Sequence, residues 1–410
     1  AIIEVVQNQR DAALADAVAS VAASDNAATR IALSYAQQST GALDAARETL
    51  LAAASVHPDD ALVKARLAEL WLMQGATDKA LAAATEAQAL APKLAKAAQV
   101  LGFVELAANH SAVAATHFRN AIELNSADPL AHFGLGLTLI RQGQLASGRG
   151  EMEAAVALDG SNALLRPYLG KAYYEEKRSP LDAQQYGIAS ELDPSDPTPH
   201  FYEAIRAQTG NEPVKALHAL QDAIALNGNR AVYRSRQLLD SDLASRGASV
   251  ARIYSDLGFE RRALVEGWNS VNTDPANFSA HRFLADAYGG QPRHEIARVS
   301  ELLQSQLLQP LNTTPIQPRL AESNLFLVSA GGPAAIGFNE FNPVFTRDGL
   351  SYQGSSLMGE HDTYAGEGTV SGVFDKASFS VGAMHYTTDG YRANNDQRDS
   401  LANVFMQYQL

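Results

Sequence analysis

Up to Pro310 the chain places apolar and small residues at helical spacing, and the arrangement returns every 34 residues. Pro58, Pro92 and Pro194 fall on this period, with Ser126, Gly160 and Gly228 in the remaining slots. Five residues before each slot stands an alanine: Ala53, Ala87, Ala121, Ala155, Ala189 and Ala223. A second register is uniformly small, with Ser34, Ala68, Gly102, Gly136, Gly170 and Ala204. A third, Ala46, Ala80, Ala114, Gly148, Asp182 and Ala216, is small apart from Asp182, while Leu50, Ala84, Phe118, Met152, Tyr186 and Leu220 are mostly larger. Small residues let two helices of one unit approach closely, larger ones fill the space between units, and proline or glycine closes the second helix.

After an interruption at 231–243, rich in Arg, Ser and Asp, the pattern resumes through Ala251, Tyr254, Gly258, Ala263, Ser270 and Pro275. A weaker unit follows with Leu284, Ala285, Tyr288 and Ala297, ending at Pro310. The predicted organisation is a capping helix or partial repeat over 1–26, six units over 27–230, the insertion at 231–243, and two further units over 244–310.

Past Pro310 the helical period vanishes. Residues 311–349, with Pro315, Pro318, Gly331-Gly332-Pro333, Gly337 and Pro343 around an apolar stretch Leu325–Val328, read as a linker. From Leu350 the period drops to two, predicting antiparallel strands at about 350–358, 364–374, 378–388 and 400–410. In the second, Tyr364, Val370 and Phe374 share one face, and Glu367, Thr369 and Ser371 the other. In the fourth, Ala402, Val404, Met406, Tyr408 and Leu410 oppose Asn403, Gln407 and Gln409, with Phe405 an exception. Such lengths suit a tilted crossing of an outer membrane, as does a short link Asp375-Lys376-Ala377 flanked by longer ones at Gly359–Thr363 and Asp389–Asp399. The alternative is a soluble sheet that packs one face on the repeats. Four strands are fewer than a single-chain barrel needs, and the pattern is still running at Leu410. A fragment is therefore expected, rather than several copies sharing one barrel.

Composition narrows the chemistry. The net charge of −13, without a Lys/Arg-rich run, argues against nucleic acid. The absence of cysteine removes disulfides, thiolate metal sites and a cysteine nucleophile. Ala1-Ile2-Ile3-Glu4 has neither a charged n-region nor a long apolar stretch, so a signal peptide is expected to be absent or removed and the N-terminus trimmed. His200 with Glu203, His294 with Glu295, and His361 with Asp362 are isolated pairs, without the ligand number of a metal site. Asn277 and Asn312 open glycosylation-type triplets of a kind that arises by chance. There is no nucleophile elbow, phosphate loop or dinucleotide fingerprint, so neither catalysis nor a cofactor is expected.

The 34-residue period and its small-residue registers resemble the tetratricopeptide-repeat family. That resemblance implies a mainly α, right-handed solenoid whose inner groove, lined by the first helix of each unit, binds partners. By register the groove would carry Arg66, Phe133, Arg141, Tyr168, Lys171, Tyr174, Phe201, Tyr202, Arg252 and Arg282. An aromatic and basic set can hold acidic peptides or stack on sugar rings; its aromatics can equally pack between neighbouring units. Joined to barrel-like strands, the repeats are similar in architecture to exopolysaccharide export proteins. The similarity implies a periplasmic scaffold for protein or polysaccharide, anchored in a bacterial outer membrane. A soluble adaptor and an anchor for an extracellular filament are the alternatives. The stretch 338–345, Phe-Asn-Glu-Phe-Asn-Pro-Val-Phe, reads as an entry into the barrel.

Overall fold

A computed structural model describes residues 1–6, 9–289, 291, 293–311, 313, 345–374 and 376–409. Most of the linker, its apolar stretch, the expected barrel entry apart from Phe345, Asn312, Asp375 and Leu410 lie outside the described residues. The chain divides into two units, one of residues 1–203 and 222–242, the other of 204–221 and 243–410.

The first unit is built of helical hairpins. After α1 (Ile2–Val6) and α2 (Arg10–Ala23) come α3 (Ala27–Ser39) with α4 (Leu43–Val56), and α5 (Ala61–Met73) with α6 (Thr77–Leu90). They are followed by α7 (Ala95–Ala107) with α8 (Ser111–Leu124), α9 (Pro129–Arg141) with α10 (Leu145–Leu158), and α11 (Leu165–Glu175) with α12 (Leu181–Leu192). Helix α13 (Pro197–Thr209) runs across the division between units, and α14 (Pro213–Ala225) follows it.

The small-residue registers are where the hairpins close. Ala53, Ala87, Ala121, Ala155, Ala189 and Ala223 are all buried, as are Ser34, Ala68 and Ala204. A Cβ on Gly148 would come within 2.5 Å of the Gly136 carbonyl oxygen, so these two backbones touch where any side chain would part them. Phe118 fills the space that Gly102 and Gly134 leave open. Its ring packs edge-on against Phe103 at 4.9 Å.

The turns inside the hairpins repeat as faithfully. Gly41, Gly75, Asn109, Gly143, Lys177 and Asn211, 34 residues apart, all have positive φ. Each donates its N–H to a carbonyl three residues back, and the next residue donates to one five back, as at Gly75 to Leu72 and Ala76 to Trp71. This left-handed cap ends each of these six first helices. The opposite ends are capped on the same period. Asn26, Asp60, Asp128, Asn162 and Asp196 accept backbone N–H groups two or three residues ahead, as Asp60 does from Leu62 at 2.9 Å. Leu94, also in register, has no side-chain cap.

The expected insertion is ordered. Asn227–Val232 form a 3-10 turn, and α15 (Arg236–Asp256) then runs unbroken through the predicted boundary at 243. The second unit continues with α16 (Glu260–Thr273), α17 (Phe278–Gly289) and α18 (Glu295–Leu308). It ends in four strands, β1 (Gly349–Gly359), β2 (Thr363–Phe374), β3 (Ala377–Thr388) and β4 (Gln397–Tyr408). They form an antiparallel sheet in the order β1-β2-β3-β4, open rather than closed into a barrel. The β1–β2 link is shorter than expected, because pairing continues to Gly359 opposite Thr363. His361 and Asp362, with φ of 57° and 49°, complete the turn.

Candidate functional site

Residues of the first helices form a polar ladder rather than an open basic surface. Arg66 on α5 is buried. Its guanidinium donates to Ser34 Oγ at 3.1 Å and to Gln38 Oε1 at 2.5 Å on α3, and lies 3.7 Å above the Tyr35 ring. It also donates to Glu69 Oε2 at 2.8 Å, while Lys96 on α7 reaches the other oxygen of Glu69 at 2.5 Å. Lys96 donates to Gln99, and Gln99 to both oxygens of Asp128, the cap of α9. Four successive first helices are thereby joined. Burial alone would raise the Glu69 pKa, but the charges of Lys96 and Arg66 outweigh it and hold the carboxyl down at about 2. Lys96 is held above its ordinary range by the same carboxylate, against the effect of burial.

The other basic candidates follow suit. Lys171 is buried, paired with Glu175, and sits 4.5 Å from the Tyr174 ring centre. Arg141 is buried at the end of α9. In the second unit Arg252 and Arg282 both face Asp286, at 3.8 and 3.4 Å. The basic side chains thus lie on first helices, as their register implies, with their charge largely matched from within. A buried, paired cation offers little attraction to an acidic peptide.

Among the aromatic candidates, Phe133, Tyr168 and Tyr202 form an edge-to-face ladder across three successive first helices, with centroids 5.2 and 5.8 Å apart. Phe201 packs beside Tyr202 at 5.8 Å. These rings are spent on each other, which favours packing between units over stacking on sugars.

One recurrent contact was not singled out in the sequence. His132 bridges the carbonyl of Ser126, at 3.2 Å, and Glu151, at 2.7 Å. Arg166 does the same between Gly160 and Gln185, and His281 between Pro275 and Glu301. Each is a first-turn residue that staples the preceding loop to the following second helix. The offset of 34 between positions 132 and 166 is the available signal, concealed by the change of residue type.

The sheet places its polarity in an unusual way. Tyr352, Val370, Val381 and Val404 lie side by side across the four strands, flanked by Leu350, Phe379 and Met406. On this apolar face Tyr352 and Met406 are about three quarters exposed, at 73% and 75%. The opposite face is the covered one, and it is mixed: Ser371, Ser378 and Ser380 are buried there beside Val373 and Met384. Hydrogen bonds tie that face together from Ser355 to Glu367, between Thr363 and Thr388, and from Ser378 to Gln407. Gln407 in turn donates to the Gln309 carbonyl at 2.8 Å.

Comparison with solved structures gives the fold. The chain is similar to the Cut9–Hcn1 hetero-tetramer of the APC/C, with a TM-score of 0.56, 15% identity, and coverage of 68% of this chain and 53% of that one. The solenoid has the tetratricopeptide fold. The chain spans about half of that structure's length. Weaker similarities link it to TTC0263, a thermophilic tetratricopeptide protein of Thermus thermophilus, with a TM-score of 0.39, 21% identity, and coverage of 47% and 97%. They also link it to YrrB, a tetratricopeptide protein with an unusual peptide-binding site, with a TM-score of 0.31, 17% identity, and coverage of 45% and 95%. No family model and no curated protein matches the sequence. Among the described residues no helix is long and apolar enough to cross a membrane, and no cluster of His, Asp and Glu is arranged to hold a metal.

Proposed function

We propose that this protein is a non-enzymatic scaffold that gathers protein partners on its tetratricopeptide solenoid and anchors them at a bacterial outer membrane through its C-terminal strands, in an export or assembly role. The solved tetratricopeptide complex of similar fold is itself a hetero-tetramer, which supports the scaffolding half of this reading.

The membrane half rests on one observation, the reversed polarity of the sheet. A soluble antiparallel sheet covers its apolar face and wets its polar one. Here Tyr352, Val381, Val404 and Met406 are open, and the face that carries Ser371, Ser378 and Ser380, together with Val373 and Met384, is covered. That arrangement is the one a barrel wall needs, with lipid outside and a polar lumen within. The apolar face is also bounded by rings, with Tyr364 at one end and Phe374 and Tyr408 at the other. At about 3.4 Å per residue and a tilt of about 40°, the strand between Tyr364 and Phe374 spans roughly 25 Å, the height of an outer-membrane apolar band. Closing the wall needs strands beyond these four, paired to the outer edges of β1 and β4.

Membrane fractionation of the native gene product, with heat-modifiable gel mobility, tests the reading. Outer-membrane recovery with a mobility shift is the expected result. Recovery in the aqueous fraction without a shift would leave a soluble adaptor. A polysaccharide partner has less support, since the candidate groove aromatics pack on one another.

A further inference from the structure

Helix α18 closes the last hairpin, and no helix follows it among the described residues. Its outer side is aliphatic. Ile296, Val299, Leu303 and Leu307 succeed one another turn by turn, and each is more than half exposed, Ile296 to 88%. Every other second helix, from α4 to α16, exposes only one or two large apolar residues among those described. A repeat array keeps its last unit soluble with a polar outer face, and α18 lacks one. Between Ile296 and Leu307 the other exposed positions are Ser300 and Gln304, so the strip carries no charge. The charged groups within this span turn inward: Arg298 lies beside Gly289, and Glu301 accepts from His281 at 2.5 Å.

We propose that this strip is the two-fold contact of a homodimer, in which α18 of one copy lies antiparallel on α18 of a second. The steps along the strip, of three, four and four residues, read almost the same in both directions. Antiparallel pairing therefore sets Ile296 of one copy against Leu307 of the other and Val299 against Leu303, each contact made twice, as a two-fold interface requires. No like charges are opposed, because the strip has none. Other occupants fit less well. An acidic or basic peptide would find no opposite charge there. A helix that lies on a lipid surface carries rows of Lys and Arg beside its apolar face, whereas α18 has Arg298 alone. A second copy brings a strip of the same length, chemistry and spacing. Four neighbouring aliphatic side chains open a patch on the order of a few hundred Å² per copy, the size that marks contact sites. Standard interfaces cover about 800 Å² per partner, so this dimer is weak and concentration-dependent.

Sedimentation equilibrium of the full chain over a range of concentrations is the first measurement. A reversible dimer is expected, weakened at least about tenfold in V299D/L303D. Both positions face solvent in the single chain, so circular dichroism and melting of the variant should match the wild type. A wild type that stays monomeric, or a dimer that V299D/L303D leaves intact, would overturn the proposal. Cysteine pairing supplies an independent readout, since the chain has no cysteine of its own. In the antiparallel arrangement positions 296 and 307 of opposite copies meet, while two copies of position 296 stand about 16 Å apart, beyond disulfide reach. I296C and L307C chains, one of them lengthened by a tag, are expected to form the mixed disulfide on oxidation, and each variant alone very little. Self-pairing as efficient as the mixed reaction would overturn the two-fold contact. None of these readouts depends on a membrane or a cellular partner, so the dimer can fail while the scaffold reading stands, and the reverse.

Discussion

Lys96 and Glu69 meet at 2.5 Å although they stand on the first helices of successive repeats, and Arg66 holds the other carboxylate oxygen at 2.8 Å. The carboxylate is thus the joint between two hairpins, and its ionisation is part of the stability of the first unit.

The sign of the pH dependence follows. The folded pKa of Glu69, about 2, lies below its ordinary 4.5, so its stabilisation is complete above about 4.5 and is lost as pH falls towards 2. The shift corresponds to roughly 3 kcal/mol, an upper bound that Lys96 and Arg66 share rather than add to. Glu69→Gln is expected to destabilise the protein at neutral pH by up to about 3 kcal/mol, because the buried Arg66 and the half-buried Lys96 lose their partner. It should also flatten the dependence of the urea midpoint on pH between 4.5 and 2. An unchanged acid limb would refute the assignment.

Two glycines two residues apart should respond with opposite signs. Gly148→Ala forces a methyl group to 2.5 Å from the Gly136 oxygen and 2.7 Å from Ile140, at a cost of about 1–3 kcal/mol. Gly150 has nothing within 4 Å, so Gly150→Ala relieves a helix interior of glycine and is expected to stabilise by about 0.5–1 kcal/mol. Thermal melts of the two variants check both directions.

The hairpin caps make a similar pair. Gly75, with φ of 76°, is expected to lose about 1 kcal/mol on change to Ala, while Lys177, with φ of 56°, should gain up to about 1 kcal/mol on change to Gly. Chemical denaturation of both variants measures this. A destabilised Lys177→Gly would mean that the lysine stem contributes more than the strain it bears.

On the sheet, Val381 lies mid-strand on the open apolar face, between Val370 and Val404. If lipid covers that face, Val381→Arg costs about 2–4 kcal/mol of insertion, whereas Gln353→Glu, at an exposed position of the opposite face, costs little. Recovery of heat-modifiable protein from lipid vesicles compares the two. Equal recovery would argue that water, not lipid, meets Val381.

Local chemistry made much of this molecule legible in the sequence. The alanine and glycine registers mark the closest helix approaches because nothing larger fits there, as Gly136 and Gly148 show. The strand period predicted the four strands to within a few residues and assigned Val404 and Gln407 to opposite faces, since side chains alternate whatever the sheet packs against. What lay across the fold was not legible. Register alone puts Arg66 and Lys171 on the inner helices, but it does not say that Glu69 and Glu175 neutralise them. Nor did alternation reveal which face of the sheet is covered, or that residues 227–242 return to Met73 and Gly75. Those are contacts between segments far apart in the chain, and only the tertiary structure decides which charges are matched, which surfaces stay open and where a departure from the repeat comes to rest.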